Sequence, residues 1–209
     1  MAEHGAGGRD GAVTEVRAEV RAGVRVLRAA GRPAVPWKNG GGITREIAAW
    51  PEGADMDDFA WRVSLADVTA DGPFSAFPEV DRTLTVVEGA GMDLTVGGLR
   101  TLVDERFVPR DFAGDTATDC RLLDGPVVNF NVMYRRGRTE VTTAVLRGRT
   151  PVEVPPGATV LVVALDGSAV LEGAGIELGP YDAALATRGP LGVLRAERRT
   201  ALVTMRMAQ

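Results

Sequence analysis

The sequence predicts an all-β protein, and three observations carry this prediction. Roughly a dozen short apolar segments are separated by turn residues at intervals of about 8–12 residues, a spacing typical of sandwiches and barrels. Several of these segments alternate apolar and polar residues, as half-buried strands do. In addition, TLTVVEGAGMDLTVGG from Thr83 resembles VLVVALDGSAVLEGAG from Val160, each being strand, turn and strand. We therefore expect two similar β-barrel units in one chain.

The start of the chain is polar and rich in glycine, and residues 1–22 are predicted to be a disordered leader. Within it, Val13, Val16 and Val20 recur at helical spacing, so a short helix over residues 13–22 stays an open alternative. From Gly23 onward the pattern changes to the alternation of a strand. Pro33 and Pro36 then interrupt regular structure.

Two segments give the clearest strands, because apolar residues alternate with polar or small ones throughout. The first is Phe59 to Val68, in which one face carries Trp61, Val63 and Leu65, and the other Arg62, Ser64 and Ala66. The second is Val127 to Tyr134, in which one face carries Val128, Phe130 and Val132, and the other Asn129, Asn131 and Met133.

Further strands are predicted where turn signals bound short apolar runs. They are Ile43 to Trp50, Thr83 to Val87, Met92 to Val96, Leu99 to Val103, Thr139 to Leu146, and several in the last third of the chain, beginning with VLVVAL.

Composition limits the classes of function. The chain has 209 residues, 45% hydrophobic and 25% charged, which is ordinary for a soluble globular protein. A net charge of −4 argues against a general binder of nucleic acid or of anionic membranes. Neither a signal peptide nor an apolar run of about 18–20 residues is visible. The single cysteine, Cys120, allows no intrachain disulfide, so we expect a cytoplasmic protein.

Histidine is nearly absent, since His4 in the leader is the only one. Zinc and iron sites normally draw on several histidines or cysteines, and a Ser-His-Asp triad needs a histidine in the core. A site made of carboxylates alone stays open, but no calcium-loop signature is present. We therefore expect no metal and no other cofactor.

The segment from Trp37 to Ile47, WKNGGGITREI, is the strongest candidate for a binding loop. Its three glycines each cost about 0.5–1 kcal/mol in a regular element, so the backbone either makes a tight corner or approaches a ligand. Lys38 offers a point charge, and Arg62 offers a planar fork for a carboxylate. The alternatives are a solvated Lys38 and an Arg62 paired with Asp67, Asp71 or Asp81.

The segment from Asp71 to Arg82 holds two aspartates with two possible roles. Asp71 and Asp81 could act as acid or base. In the simpler reading, Asp71 caps its own turn and Asp81 pairs with Arg82 or another arginine. Phe74 and Phe77 are expected in the core or in a pocket wall, and Cys120 as a small buried apolar residue.

Three motifs in order identify a family. WKNGGGITREI, FAWRVSLADVTADGPFSAFPEVDRTL and CRLLDGPVVNFNVMYRRG together resemble the HutD/Ves family of bacterial proteins. The resemblance implies cupin-like, double-stranded β-helix barrels, with residues 23–138 as a first part and 139–209 completing a second barrel. It also implies a metal-free cupin, because the histidines of metal-binding cupins are missing from the core.

The resemblance further implies a sensor or modulator in histidine utilisation that binds a small carboxylate such as urocanate or formylglutamate. An acidic residue is expected where Asn129 stands, so the pattern departs there. Together with the glycine loop, the motif positions give the predicted ligand-binding set: Lys38, Asn39, Gly40, Gly41, Arg62, Ser64, Asp71, Phe74, Asp81, Arg82 and Asn131.

Three functional hypotheses follow. The first is a non-enzymatic protein that binds a small anion, which we favour. The second is a metal-independent isomerase or hydrolase that uses Asp71 or Asp81 as base and Lys38 as electrophile. The third is a structural or partner-binding protein, which would lack a pocket of about 300 Å³ or more. A homodimer is possible, although no strand is marked as an interface by the sequence.

Overall fold

The computed structural model describes residues 19–208, and its regular structure there consists of strands alone, which confirms the all-β class. Those of the first half are β1 (Glu19–Arg21), β2 (Val24–Leu27), β3 (Val35–Pro36), β4 (Gly42–Trp50), β5 (Trp61–Val68), β6 (Gly72–Pro73), β7 (Val80–Glu88), β8 (Met92–Val96) and β9 (Leu99–Val103). Those of the second half are β10 (Arg110–Ala113), β11 (Thr118–Leu122), β12 (Val127–Arg135), β13 (Thr139–Glu153), β14 (Ala158–Asp166), β15 (Ala169–Leu171), β16 (Ile176–Leu178), β17 (Ala183–Ala186) and β18 (Pro190–Met207). Among residues 19–208 there is no helix with the length and hydropathy that a membrane crossing requires.

The strands form three antiparallel sheets. Sheet A has the order β1-β2-β17-β14-β18-β15-β16, and β13 pairs with the opposite side of β18. Sheet B has the order β10-β7-β12-β5-β4-β3, and sheet C has the order β6-β11-β8-β9. Of the fifteen strand pairs in this part of the chain, only five are consecutive in the sequence (β1-β2, β3-β4, β4-β5, β8-β9 and β15-β16), so most neighbours are brought together by connections that cross between strands.

Three large apolar cores hold the sheets together, with a small fourth one around Phe59, Val80 and Met133. The largest lies between sheets A and B and includes Trp61, Phe130 and Leu161. A second lies within sheet A and includes Leu171 and Leu194. The third lies between sheets B and C; its members are Val68, Leu84, Val86, Met92, Leu94, Val103, Cys120 and Val127. Sheet B is therefore covered on both faces, by sheet A and by sheet C.

The N-terminal strands differ from the sequence prediction. Residues 1–18 of the predicted leader lie outside the described residues, but Glu19–Arg21 form a strand, neither disordered nor helical. The turn at Ala22 and Gly23 has positive φ at both residues (51° and 77°), the geometry that a two-residue hairpin favours. Val24–Leu27 then pairs with β17, so this hairpin joins sheet A, whose other strands come after residue 138.

The faces of β5 and β12 follow the alternation in the sequence. Trp61, Val63 and Leu65 enter the core between sheets A and B, together with Phe130 and Val132. The two strands are neighbours, and Asn131 lies opposite Ser64 while Met133 lies opposite Arg62. The polar residues of both strands therefore share the face turned away from sheet A.

A β-bulge interrupts β4. Glu46 lies opposite Ser64, but Ala48 lies opposite Val63, so Ile47 is one residue more than the partner strand provides. Because of this extra residue, Ile47 and Ala48 are both buried in the core between sheets A and B.

Candidate functional site

A cavity of about 470 Å³ lies on the face of sheet B that is turned away from sheet A. The strands β5, β7 and β12 form its base, and the β3–β4 loop and the segment around Phe74 form its walls. It is lined by Val35, Pro36, Trp37, Lys38, Asn39, Thr44, Met56, Arg62, Ser64, Ala66, Pro73, Phe74, Ser75, Phe77, Arg82, Asn129, Asn131 and Met133. The cavity is therefore large enough for a small metabolite.

Arg82 is the most unusual residue of this lining. Its side chain is buried, with 9% of the residue exposed, although it carries a guanidinium. Its one hydrogen-bond partner among the described residues is the Oδ1 atom of Asn131, 3.4 Å from Nη2, and the buried Nε has none. No carboxylate pairs with it in the part of the chain that the structure describes. Buried arginines normally have such a partner.

Three phenyl rings surround the Arg82 guanidinium. Its Cζ lies 5.1 Å from the ring centre of Phe74, 5.8 Å from that of Phe77 and 5.2 Å from that of Phe112. Phe112 is also its register partner on β10. The rings provide cation–π attraction, but they cannot accept the guanidinium hydrogen bonds in the way an oxygen does.

Burial lowers the pKa of Arg82 to about 10 from its ordinary value of 12.5. The group is still protonated at neutral pH, so an unpaired positive charge lies at the cavity wall. Space for the side chain comes from Gly114, where an added Cβ would lie 3.2 Å from both Cγ and Cδ of Arg82. An anion that enters the cavity would supply the missing counter-charge and hydrogen-bond acceptors.

Arg62 also lines the cavity, but it has a protein partner. Its Nε donates a hydrogen bond of 2.6 Å to Glu46 on the neighbouring strand. The partners considered from the sequence are engaged elsewhere: Asp67 pairs with Arg45, and Asp81 pairs with Arg136. Arg62 therefore contributes a charge that is already partly neutralised.

Lys38 and Asn39 reach the cavity from a tight hairpin loop between β3 and β4. The amide of Trp37 donates to the carbonyl of Gly42 (2.9 Å), and the amide of Gly40 donates to the carbonyl of Trp37 (3.0 Å). The amide of Gly41 donates to the side-chain oxygen of Asn39, also at 3.0 Å. Gly40 and Gly41 do not line the cavity, so their amides serve the loop and offer no free donors.

The glycine run is explained by the corner itself. A Cβ at Gly42 would lie 2.4 Å from the carbonyl oxygen of Asp67 and 3.1 Å from the Trp37 ring. Gly40 has a φ of +71°, which a residue with a side chain rarely adopts. The alternative reading, a barrel corner, thus fits the backbone geometry, and the loop serves to place Trp37, Lys38 and Asn39.

Asp71 and Asp81 lie away from the lining of the cavity. Asp71 accepts a hydrogen bond from the amide of Leu122 (2.7 Å), the last residue of β11. Its carboxylate therefore binds the end of another strand and does not cap its own turn. Asp81 accepts hydrogen bonds from Arg136, and as the neighbour of Arg82 on β7 it lies on the opposite face of the sheet. The lining therefore contains Lys38, Arg62 and Arg82 and no carboxylate. Nothing in this geometry places a carboxylate base beside Lys38.

Of the predicted set, seven residues meet in one cavity: Lys38, Asn39, Arg62, Ser64, Phe74, Arg82 and Asn131. Ala66, Asn129 and Met133 were not in that set, although the period-two pattern of β5 and β12 already put them on the same face. Met56 belongs to the loop before β5 and gave no sequence signal. Within residues 19–208, no group of three or more His, Cys, Asp or Glu side chains is arranged to hold a metal ion.

A second cavity of about 540 Å³ lies where the N-terminal hairpin meets sheets A and B. Its lining is mainly apolar: Val20, Gly23, Arg25, Ala49, Trp50, Glu52, Trp61, Gly157, Ala158, Thr159, Leu185, Thr187, Met205 and Met207. Its one arginine, Arg25, pairs with Glu52 at 2.8 Å.

Comparison with known proteins places these features in a family. A HutD family model matches residues 29–204. An uncharacterized 21.2 kDa protein in the hutC 3′ region of Pseudomonas putida is 36% identical over 162 residues, which cover 76% of this chain and 84% of that protein. HutD from Pseudomonas fluorescens SBW25 (formate condition) has a structure with a TM-score of 0.78 and 32% identity, covering 89% of this chain and 100% of that chain.

A Ves protein from Cronobacter sakazakii is 39% identical over 103 residues, which cover 49% of this chain and 55% of that protein. A cupin 2 conserved barrel domain protein from Leptotrichia buccalis has a TM-score of 0.51 and 12% identity, covering 83% of this chain and 92% of that chain. At that identity the likeness bears on the fold alone, which is cupin-like.

Proposed function

The chain belongs to the HutD family, as the sequence motifs indicated, and from this membership and the cavity around Arg82 we propose that it is a small-anion-binding protein without catalytic activity. The anion is a carboxylate that enters the cavity on sheet B. The bound state regulates histidine utilisation in the cytoplasm. In this proposal one barrel unit is formed by sheets B and C around their shared core, and the other by sheet A around the core within it.

The observation that carries this proposal is the unpaired, buried guanidinium of Arg82. A buried charge without a partner is costly, and an ionised ligand that accepts its hydrogen bonds removes that cost. The bond would be charge-assisted and shielded from water, which makes it stronger than the same bond on the surface. With Lys38 and Arg62 nearby, the electrostatic preference of the cavity is for an anion.

The remaining lining suggests what the anion carries besides its carboxylate. Ser64, Asn129 and Asn131 provide neutral donors and acceptors on the base of the cavity. Trp37 and Phe74, packed edge to face with ring centres 6.4 Å apart, form an apolar wall. Formylglutamate offers two carboxylates and a formamide to these groups, and urocanate offers one carboxylate and a flat ring, so both fit this chemistry.

The link to histidine utilisation comes from the relatives. The Pseudomonas putida protein is named for its position 3′ of hutC, and the Pseudomonas fluorescens structure is named HutD. Because no carboxylate base lines the cavity, the geometry favours sensing of the ligand over its chemical conversion. A regulator of this kind would respond to a pathway intermediate and leave it unchanged.

The experiment is isothermal titration with formylglutamate and urocanate, each matched by its neutral amide. We expect heat from at least one acid and none from its amide, and weaker binding by Arg62→Ala. Product analysis of the same mixtures should show unchanged ligand. Heats that are equal for acid and amide would exclude an anion site, and ligand consumption would support the isomerase or hydrolase alternative.

A further inference from the structure

The sheet edges of this molecule are short, with one exception. The strands at the other edges have two to five residues: β1, β3, β6, β9, β10 and β16. β13 has fifteen residues, Thr139–Glu153, and its strand partner among the described residues is β18 alone. Within residues 19–208, no strand pairs with the other side of this long strand.

An open edge presents unpaired backbone N–H and C=O groups, and proteins usually protect such edges with charges, prolines or shortness. On β13 the protecting residues cluster in the second half, where Arg147, Arg149 and Pro151 lie. The stretch 141–146, VTTAVL, contains no charge and no proline and is rich in β-branched residues. This half of the edge is suited to pairing with another strand.

We propose that β13 pairs antiparallel with β13 of a second copy of this chain, about a two-fold axis at Thr143. The stretch VTTAV, residues 141–145, reads nearly the same from both ends, as a self-complementary interface requires. In this register Val141 lies opposite Val145 of the second copy. The two positions are an even number of residues apart, so both side chains lie on the same face of the joined sheet.

The face of β13 that carries Val141, Thr143 and Val145 supports this pairing. Val141 and Val145 already pack against the core between sheets A and B, so the joined sheet extends an existing apolar face.

The first test is concentration-dependent amide exchange of the full chain, with sedimentation measured at about 1–100 μM, the range over which weak dimers dissociate. We expect a species of twice the monomer mass, and amides of residues 141–145 that become protected as it forms. A monomer at every concentration overturns the proposal, as does a dimer that leaves the exchange of these amides unchanged.

The second test is a disulfide at the axis. Residues that face each other across a two-fold between antiparallel strands have Cα atoms about 4.5–5.5 Å apart, which a disulfide spans. We expect Thr143→Cys to form a covalent dimer under mild oxidation. The native thiol does not interfere, because burial raises the pKa of Cys120 to about 11.

The matched control is Thr101→Cys, an exposed position on the five-residue edge strand β9. We expect it to stay monomeric under non-reducing electrophoresis. Cross-linking of Thr101→Cys without cross-linking of Thr143→Cys would move the interface to another edge and overturn the proposal.

Discussion

The two cavities have similar size and opposite chemistry. The cavity on sheet B measures about 470 Å³ and holds Arg82, which has no carboxylate partner in the described part of the chain. The cavity beside the N-terminal hairpin measures about 540 Å³, and its arginine pairs with Glu52. The larger space is thus electrostatically satisfied and mainly apolar, while the smaller one carries an unbalanced charge.

This difference shows that volume alone does not identify the site. An ion pair at a cavity rim has no need of a ligand, whereas an unpaired buried guanidinium gains several favourable interactions when an anion arrives. The surroundings reinforce the contrast, because Trp50 in the apolar cavity is 51% exposed and Arg82 is 9% exposed. The comparison predicts different outcomes for equivalent changes in the two cavities.

The largest expected effect is on affinity. Arg82→Met should weaken binding of the carboxylate by about 10- to 100-fold, because hydrogen bonds to charged groups contribute about 1.5–3 kcal/mol and each 1.4 kcal/mol is tenfold. Arg25→Met, in the other cavity, should leave the affinity unchanged. Titration calorimetry measures both. Equal losses in the two variants would contradict the assignment of the site to sheet B.

The next effect concerns the loop that places Lys38. Gly42→Ala should destabilise the fold by about 2 kcal/mol, since overpacking typically costs about 1–3 kcal/mol and the new Cβ meets the Asp67 carbonyl. Gly41→Ala is the control, because its Cβ would meet only Asn39 at ordinary contact distance. Urea denaturation compares the two, and a Gly41→Ala protein that is the less stable one would refute this account of the corner.

The third effect is on pH dependence. Since the protonated form of Arg82 binds the anion and its pKa is about 10, affinity should be constant up to about pH 9 and then fall about tenfold per pH unit above 10. The free energy of unfolding changes with pH in the opposite direction. Burial favours the neutral form, so the contribution of Arg82 to stability rises as pH increases from about 10 towards 12.5.

Calorimetric titrations with the carboxylate from pH 7 to 11 test the predicted pH dependence of affinity. The fall in affinity above pH 10 should persist in Lys38→Met and be absent from the residual binding of Arg82→Met. A fall that remains unchanged in Arg82→Met would contradict the assignment of the titrating charge to Arg82.

The smallest expected effect is a gain in affinity for the carboxylate. Glu46→Gln releases Arg62 from its ion pair. Exposed or partly exposed ion pairs contribute about 0.2–1 kcal/mol, so carboxylate binding should tighten by up to about fivefold. Glu52→Gln makes the same change beside Arg25 and should leave the affinity as it was. Tighter binding in the second variant and none in the first would place the ligand in the apolar cavity.

Much of the fold could be predicted because the signals were local. The alternation in β5 and β12 assigned each side chain to a face, and both faces are used, one for the core and one for the cavity. The strand pairing of the N-terminal hairpin with β17 could not be predicted, because it joins residues far apart in the chain. Nothing in residues 19–27 indicates that partner.

The candidate site was predictable in part for the same reason. Lys38, Arg62, Ser64 and Asn131 stand in motifs or on alternating faces. The importance of Arg82 was hidden, because its isolation depends on Phe77, Phe112 and Gly114, which three different segments supply. Asp71 and Asp81 looked equally suitable in the sequence, and only the partners that they bind in the fold set them apart from the lining.

The extra residue in β4 has a consequence for how changes in length would be tolerated. Before Ile47, Thr44 lines the anion cavity, and after it Ala49 and Trp50 line the apolar one. A single strand thus serves both compartments, and Ile47 is the point at which it passes from one to the other. Deleting that residue would restore regular pairing and leave Ala48, Ala49 and Trp50 opposite Val63, Arg62 and Trp61 as they are now. What would be lost is the bend that the bulge gives the strand between the two cavities, so a one-residue deletion here would change the shape of both cavities without breaking the sheet.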